Sequence, residues 1–305
     1  MRPVHENDET QEEGLLRASG VGMNSSTETT SELSVVVRTV SRNERLEENL
    51  ASLRAQRGCR LQIVLVDMSN GAAGPVASRH LRDADIHLET GGKVLNRATA
   101  LNAGIRAASA RHLAILDDDN CWAPDQAATL VRLLNRGKAD LAYTGVTRRC
   151  YSPDGLLLDE RLFFQSFDYA RLLWRNFIYT SATAFSKEAW QRAGRFDARF
   201  PVYEDWEFLI RLAQGAVVAT EESHGAISRN FNGKPGIPEH HRESADCARC
   251  LEGLHWKHRR LLREKEAEIA EKYRAVKKTR HWRDWVTLWG WYWRGQIAVK
   301  SRHHS

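Results

Sequence analysis

The stretch "HLAILDDDNCWAPD", from His112 to Asp125, decides the fold and raises the first question about function. Its apolar run is typical of a buried strand, and three consecutive aspartates follow directly. Adjacent carboxylates repel one another, so a positive partner is expected nearby. In an extended segment alternate side chains share a side, which predicts that Asp117 and Asp119 converge while Asp118 points elsewhere. The stretch indicates either a site for a hard divalent cation or a solvated loop whose first aspartate caps the next helix.

Strand-like and helix-like segments alternate on both sides of this stretch. β-branched apolar runs at 33–40 and 61–67 predict two buried strands, and 139–146 predicts another after the aspartates. Helical spacing lies between them, at 45–56 and 95–110. This alternation predicts an α/β fold with a mainly parallel central sheet flanked by helices. Ligands bind such sheets at the carboxyl ends of strands, which is where the aspartates lie.

The second half of the chain is less regular. A weak strand is predicted at 85–89, and 180–194 reads as a strand that feeds a helix with Ser186 as its N-cap. Another helix is predicted over 203–214, and it opens with Glu204 and Asp205. The pattern after Cys247 predicts a long charged helix followed by a tryptophan-rich tail.

Composition and charge divide the chain into three parts. Residues 1–33 hold two basic and seven acidic side chains and few large apolar ones, which predicts a disordered acidic tail. Residues 34–245, which hold the alternating strands and helices, are predicted to form the main folded domain. Residues 246–305 are predicted to form a basic helical extension, with 14 basic and five acidic side chains from Trp256 onward.

Several protein classes are disfavoured by composition. No run approaches the roughly 20 apolar residues of a membrane-spanning helix, and the N-terminus lacks a secretory pattern. Five scattered cysteines do not suggest a disulfide framework, so a reducing cytoplasm is expected. The segment "CARC", followed by His255 and His258, fits no standard structural zinc spacing. No nucleic-acid partner is expected.

Two residues upstream of the aspartates are further candidates. Arg97 opens a predicted helix whose N-terminus can face anionic phosphate, although an ordinary surface ion pair is the plain alternative. Asp67 ends the second strand, where it can accept from a base or ribose, although it can also simply form a turn.

Five segments in order resemble the inverting GT-A fold glycosyltransferases of family 2. The resemblance covers about residues 34–220, and its most specific segment is "GRFDARFPVYEDWEFLIRL". The other four segments are "SVVVRTVSRN", "IVLVDMSNG", "NRATALNAGI" and "DDD". The resemblance implies a Rossmann-like GT-A fold, a nucleotide-sugar donor and a divalent cation, Mn²⁺ or Mg²⁺.

The resemblance also implies a role for each matching residue. Thr39 and Asp67 are expected to hold the nucleotide base, and Arg97 to approach the nucleotide moiety. Asp117 and Asp118 are expected at ribose and sugar, Glu204 beside the donor, and Asp119 at the metal. Asp205 matches the catalytic base. His224 is the candidate third metal ligand, in competition with His240 and His241.

The chain departs from the family pattern at two places. Arg38-Thr39-Val40-Ser41 stands where the family shows Pro-Thr-Tyr, and Met68 follows Asp67 where an acid or amide is usual. An aromatic residue that would stack on the base is missing. The donor, a UDP-, GDP- or dTDP-sugar, therefore stays open, as does the acceptor, which can be a glycan, a lipid-linked sugar or a small molecule.

The C-terminal tail carries a tryptophan face. At helical spacing, Trp282, Trp285, Trp289 and Trp293 fall within about 80° of one another, with arginines beside them. Such a face suits the surface of an anionic membrane, which would make the protein peripheral on the inner face of that membrane. Packing on the catalytic domain or a dimer contact is the alternative, so the oligomeric state is left open.

Other functions compete with glycosyl transfer. A non-catalytic nucleotide-sugar-binding or lipid-binding protein of the same fold is the main alternative. A nucleotidyltransferase would need a glycine-rich basic loop after the first strand, and "RTVSRNER" has no glycine. No Gly-x-Gly-x-x-Gly follows a strand, which disfavours a dehydrogenase.

Overall fold

The computed structural model describes residues 17–19, 31–40, 43–230 and 245–277. The tryptophan-rich tail, together with His240 and His241, lies outside these residues. Throughout the described ranges, no helix combines the length and the apolar character that crossing a membrane requires.

A single large sheet runs through the protein. Its ten described strands follow the order β1-β4-β3-β2-β5-β9-β7-β10-β6, with β8 paired to β7. The strands are β1 (Arg17–Ser19), β2 (Leu33–Thr39), β3 (Leu61–Asp67), β4 (Ile86–Glu89), β5 (His112–Asp117), β6 (Asn120–Trp122), β7 (Leu141–Tyr151), β8 (Leu157–Phe163), β9 (Thr183–Ser186) and β10 (Val218–Asn230).

The strands predicted from the first half of the sequence form the parallel part of the sheet. β2 lies between β3 and β5, and β4 extends the sheet beyond β3, all in parallel. The register places Thr39 opposite Asp67, and Arg38 opposite Asp117. The carboxyl ends of three strands therefore meet at one edge.

The second half of the sheet is mixed. β9 is antiparallel to both β5 and β7, whereas β10 is parallel to β7. β6 leaves the aspartate run and pairs with β10 on its outer side. The sheet thus curls back toward the aspartates, and strands β6, β8 and β10 are elements that the sequence pattern did not predict.

Helices cover both faces of the sheet and continue past it toward the C-terminus. They are α1 (Asn43–Arg54), α2 (Gly74–His80), α3 (Arg97–Ala107), α4 (Gln126–Asn135), α5 (Tyr169–Trp174), α6 (Lys187–Ala193), α7 (Glu204–Leu212), α8 (Ala245–Lys257), α9 (Arg259–Glu264) and α10 (Glu266–Lys277). A 3₁₀ turn at Thr180–Ala182 leads into β9.

The apolar core has two layers because strand side chains alternate between faces. Val36 and Val66 pack on one face with Leu101 and Ile105 of α3. The opposite face of the same strands meets α1 and α4. The residues of this second layer include Val35, Val37, Leu46, Leu50, Leu130 and Leu134. The sheet with helices on both sides confirms the predicted fold class.

Local predictions agree with the structure in most elements. The side chain of Ser186 accepts a hydrogen bond from the Ala189 amide, so it is the N-cap of α6 as predicted. Helix α4 begins at Gln126, two residues after Pro124. Within residues 1–33, Arg17–Ser19 pair with β4, while the tail prediction as a whole stays a prediction.

The C-terminal helices pack on the helices that cover one face of the sheet. Cys250, Leu254, Leu262 and Ile269 are buried in the same apolar layer as α3 and α7. Lys257 lies 2.7 Å from Glu207 of α7, which adds an ion pair to this contact. The domain boundaries drawn from composition stay predictions.

Candidate active site

The edge where β2 and β5 end brings together the first two aspartates of the run. The Thr39 Oγ1 hydroxyl donates to Asp118 Oδ2 at 2.8 Å, and Arg38 Nη2 lies 3.0 Å from Asp117 Oδ1. Asp117 and Asp118 therefore point to different partners, as alternation along a strand requires. Arg38 therefore supplies part of the positive charge that was expected beside the three aspartates.

Arg97 connects this edge with a distant helix. It is the first residue of α3, whose N-cap Asn96 accepts from the Thr99 amide. Its guanidinium lies 2.6 Å from Glu204 Oε1 and 3.5 Å from Asp117 Oδ1. One side chain thus bridges the aspartate run and the start of α7.

Glu204 is the buried acid of this group. Tyr203 precedes it with a left-handed backbone, φ 64°, which turns the chain into α7. The Glu204 side chain is 3% exposed, and burial, reinforced by the charge of Asp205 and opposed by Arg97, raises its pKa to about 7. Near neutral pH this carboxyl can therefore gain or lose its proton.

Asp205 follows Glu204 in the first turn of α7. The Thr180 hydroxyl donates to Asp205 Oδ2 at 3.1 Å, and the same oxygen lies 3.5 Å from Asn176 Nδ2. These contacts hold the carboxylate at the side of the site formed by the loop before β9. Asp205 follows Glu204 directly, and Glu204 forms an ion pair with Arg97.

Asp67 is deeply engaged by its own chain. Its Oδ1 accepts from the amide and hydroxyl of Ser69, and its Oδ2 lies 3.0 Å from His87 Nε2. The side chain is 1% exposed. Burial acts to raise the pKa of Asp67, but the bonds from His87 and Ser69 outweigh it and lower that pKa below its ordinary value. Through its bonds with Ser69, Asp67 stabilises the turn after β3.

Asp119 and His224 lie in different places. The register of β6 on β10 places Asn120 opposite Ser228, and the Nε of Arg229 lies 3.4 Å from the carbonyl oxygen of Asp119. His224 pairs with Gly145 and lies four residues before Ser228, about 13 Å along the strand at the usual rise, and its Nδ1 lies 2.7 Å from Thr147 Oγ1. The structure does not bring His224 into the aspartate group.

A divalent cation fits the chemistry of the aspartate run, since its ligands are carboxylate oxygens. Asp117 bonds to Arg38 and Asp118 to Thr39, and the family resemblance assigns the metal to Asp119, which is therefore the acid to test. In the ranges that the structure covers, three potential ligand atoms come within 4.8 Å of one another at Asp67, His87 and Glu89. There Asp67 and His87 bond directly to each other, so two of those ligand atoms already face one another.

Two residues of the site were missed in the sequence. Arg38 and His87 each bond to a predicted site aspartate. The contact of Arg38 with Asp117 depends on β2 and β5 being neighbours in the sheet, which the sequence pattern did not reveal. His87 lies on the short strand β4, and only the register of β3 with β4 brings it near Asp67.

Comparison with known proteins identifies the protein family of this chain. Residues 34–194, which are 161 of the 305 residues, match the family model for glycosyl transferase family 2. The succinoglycan biosynthesis protein ExoO of Rhizobium meliloti is 26% identical over 208 residues, 64% of this chain. The chain spans 60% of the length of ExoO.

Solved structures share the fold. TarS residues 1–349 of S. aureus, in complex with UDP-GlcNAc, superpose with a TM-score of 0.56 at 12% identity, over 73% of this chain and 65% of that one. The mannosyltransferase PcManGT of Pyrobaculum calidifontis, with GDP-Man and Mn²⁺, gives 0.56 at 18% identity over 88% and 86%. The curled sheet flanked by helices is accordingly the Rossmann-like GT-A fold, and the chain belongs to glycosyl transferase family 2.

Proposed function

We propose that this protein is a metal-dependent inverting glycosyltransferase that moves a sugar from a nucleoside-diphosphate donor to an acceptor hydroxyl. The observation that carries the proposal is the Arg97 bridge, 3.5 Å from Asp117 and 2.6 Å from Glu204. It joins the proposed donor side of the site to the helix that carries the proposed base. The structural neighbours with UDP-GlcNAc and with GDP-Man and Mn²⁺ support a nucleotide-sugar donor.

The proposed reaction is a single displacement. The acceptor oxygen forms a bond to the anomeric carbon on the face opposite the diphosphate, and the bond from that carbon to the diphosphate oxygen breaks. The electron pair leaves with the diphosphate, and the hydroxyl proton passes to the Asp205 carboxylate. A positioned base of this kind contributes a factor of about 10² to 10⁴ to the rate.

The chain's own groups prepare that step. Thr180 orients the Asp205 carboxylate through its hydrogen bond. Arg97 and Arg38 place positive charge beside Asp117, where the donor's phosphates are proposed to lie. Thr39 fixes Asp118 at the end of β2. A cation held by Asp119 would supply positive charge to the departing diphosphate.

Two proposed site roles differ in their support. Asp67 as a base-binding residue requires its carboxylate to exchange a bond with His87 or Ser69 for one with the donor. His224 as a metal ligand finds no support in its contacts with Thr147. The proposed cation site therefore rests on Asp119 and on the donor's own oxygens.

Nucleoside diphosphates provide a direct test. UDP, GDP and dTDP are each added with and without Mn²⁺ while thermal unfolding is followed. We expect one of them to raise the melting temperature, by about 5–10 °C at a hundredfold excess over its Kd, and only when Mn²⁺ is present. Asp119→Asn should remove the part of this rise in melting temperature that depends on Mn²⁺. No shift with any of the three would contradict nucleotide binding.

The cytoplasmic location and an anionic membrane partner are proposals carried by composition alone. Deletion of the residues after Arg280 tests the second of them. The shortened chain should no longer sediment with vesicles of anionic lipid, while its melting temperature stays the same. Aggregation of the shortened chain would favour the packing alternative.

A further inference from the structure

A cleft of about 690 Å³ lies between the loop that precedes α7 and the C-terminal helices. One wall is the loop segment Arg199 to Pro201, and the other is the exposed side of α8, continued by Arg259. This volume is within the range of about 300–1,000 Å³ that small-molecule sites occupy. The cleft is separate from the strand edge that holds Asp117 and Asp118.

The cleft is positively charged. Arg199, Arg249, Lys257 and Arg259 line it, and among the residues that the structure describes no acidic one does. Asp197 lies behind the wall, 2.6 Å from Arg199 and 2.7 Å from Lys257. Glu207 also contacts Lys257 but is shared with Arg211 at 2.7 Å. Among the described residues that line the cleft, positive charge therefore exceeds negative charge, which favours an anion.

The cleft also offers a flat aromatic surface. Trp256 is 54% exposed. Because tryptophan is enriched at binding surfaces, this exposure indicates that the ring contacts a ligand. The Arg259 guanidinium lies over this ring, 4.3 Å from its centroid, and so holds a cation on one face of the indole. The indole plane can pack on the C–H face of a sugar ring while the guanidinium donates to a neighbouring anionic group.

The cleft borders the proposed catalytic helix. Its wall at Arg199–Pro201 continues through Tyr203 into Glu204 and Asp205. The loop is also tied to the donor side, because Asn96 Nδ2, next to Arg97, lies 3.4 Å from the Ala198 carbonyl oxygen. A molecule in the cleft therefore lies beside the loop that leads to the proposed base.

We propose that the cleft between Arg199–Pro201 and Trp256–Arg259 binds a saccharide that carries a carboxylate or phosphate group, and that this saccharide is the acceptor. The binding is argued from the charge and the exposed indole alone. Its assignment as the acceptor rests on the proposed function.

Two exposed side chains allow a test that spares the fold. Trp256→Leu removes the ring, and Arg259→Gln removes the charge beside it. Arg260→Gln is the matched control, because Arg260 is the next residue, is also exposed and does not line the cleft. The melting temperatures of all three variants should match the parent protein, since surface changes of this kind cost little stability.

The probes are trigalacturonate, which carries carboxylates, mannose 6-phosphate, which carries a phosphate, neutral maltotriose, and inorganic phosphate. Binding is measured by isothermal titration calorimetry with the full chain. We expect an acidic sugar to bind more tightly than maltotriose and than inorganic phosphate. Trp256→Leu and Arg259→Gln should each weaken it roughly tenfold, the loss expected for one charge-assisted or aromatic contact. Arg260→Gln should leave it unchanged.

Three results would overturn the cleft proposal. These are failure of both acidic sugars to bind, equal binding of maltotriose or inorganic phosphate, and binding that neither cleft variant weakens. The comparison of trigalacturonate with mannose 6-phosphate identifies the anionic group.

A parallel titration with UDP and GDP in the presence of Mn²⁺ separates this result from the proposed function. Cleft variants that lose the acidic sugar in a protein that binds no nucleotide would keep the cleft and reject the transferase. Nucleotide binding without any sugar binding would reject the cleft proposal and leave the proposed transferase function standing.

Discussion

Arg97 Nε lies 2.6 Å from Glu204 Oε1, so the first residue of α3 and the first residue of α7 are joined by an ion pair. The two helices come from distant parts of the sequence and pack on the same face of the sheet. Glu204 is 3% exposed, and a buried carboxylate without a partner would be costly. The pair therefore links the stability of α7 to the position of the proposed donor residues.

Arg97→Gln should lower stability, because it leaves Glu204 buried without its cation. We expect a loss of about 1–3 kcal/mol in the free energy of unfolding, less than for a fully buried pair since Arg97 is 46% exposed. Urea denaturation of Arg97→Gln, Glu204→Gln and the double variant measures it. The double variant should regain most of the loss, and a double variant no better than Arg97→Gln would contradict this account.

Glu204→Gln should change how stability depends on pH. The folded pKa of Glu204 is raised from 4.5 to about 7, so the folded protein holds a proton that the unfolded chain releases. The stability from this group is complete below pH 4.5 and is lost as pH rises through 7. Melting temperatures between these values should fall with pH less steeply in Glu204→Gln than in the parent protein. Parallel curves would show that Glu204 does not titrate in this window.

Asp205→Asn should abolish transfer while donor binding persists. The amide keeps the shape of the side chain but cannot take the acceptor proton, so the turnover rate should fall by about 10² to 10⁴. Calorimetric titration with the nucleoside diphosphate and Mn²⁺ should give an affinity close to that of the parent protein. Loss of nucleotide binding, or full activity, would remove Asp205 from the role of base.

The parallel part of the fold could be read from the sequence, and the reason is local. β-branched runs with no alternation mark strands buried on both faces, and the helices between them carry one apolar stripe. Strands β8 and β10 gave no such signal. β8 exposes most of its side chains, and the long strand β10 reaches Asn230 through two irregularities in its pairing with β7.

The candidate site was predictable to the extent that motifs lie at strand ends. Thr39, Asp117 and Asp118 follow from the rule that parallel strands end together. Contacts made by register were not predictable, since they depend on which strand lies beside which. The contacts of Arg38 with Asp117 and of His87 with Asp67 depend on register in this way. The position of His224 relative to Asp119 depends on it as well.

Gly104→Ala should destabilise the contact between α3 and β2. A Cβ at this position would lie 2.4 Å from Val36 Cγ1 and 3.1 Å from Val66 Cγ2, inside a packed layer. Overpacking of this kind costs about 1–3 kcal/mol. The control is Gly74→Ala at the start of α2, where no atom lies within 4 Å of the added carbon. Equal melting temperatures for the two variants would contradict the close packing of α3.

Glu207→Gln should weaken the attachment of the C-terminal helices and alter the response to acid. Burial acts to raise the pKa of Glu207, but bonds from His258 and Arg211 prevail and lower it from 4.5 to about 2. The stability from this group is present above pH 4.5, amounts to about 3 kcal/mol, and is lost as pH falls through 2.

Urea denaturation at several pH values checks this prediction. The parent protein should exceed Glu207→Gln in stability at pH 7, and the difference should shrink as the pH is lowered toward 2. Glu264→Gln is the control, because that carboxylate forms an exposed pair with Arg260 and should change stability by less than about 1 kcal/mol. A difference between parent and Glu207→Gln that stays constant with pH would mean that Glu207 is not held as a charged carboxylate by His258, Lys257 and Arg211.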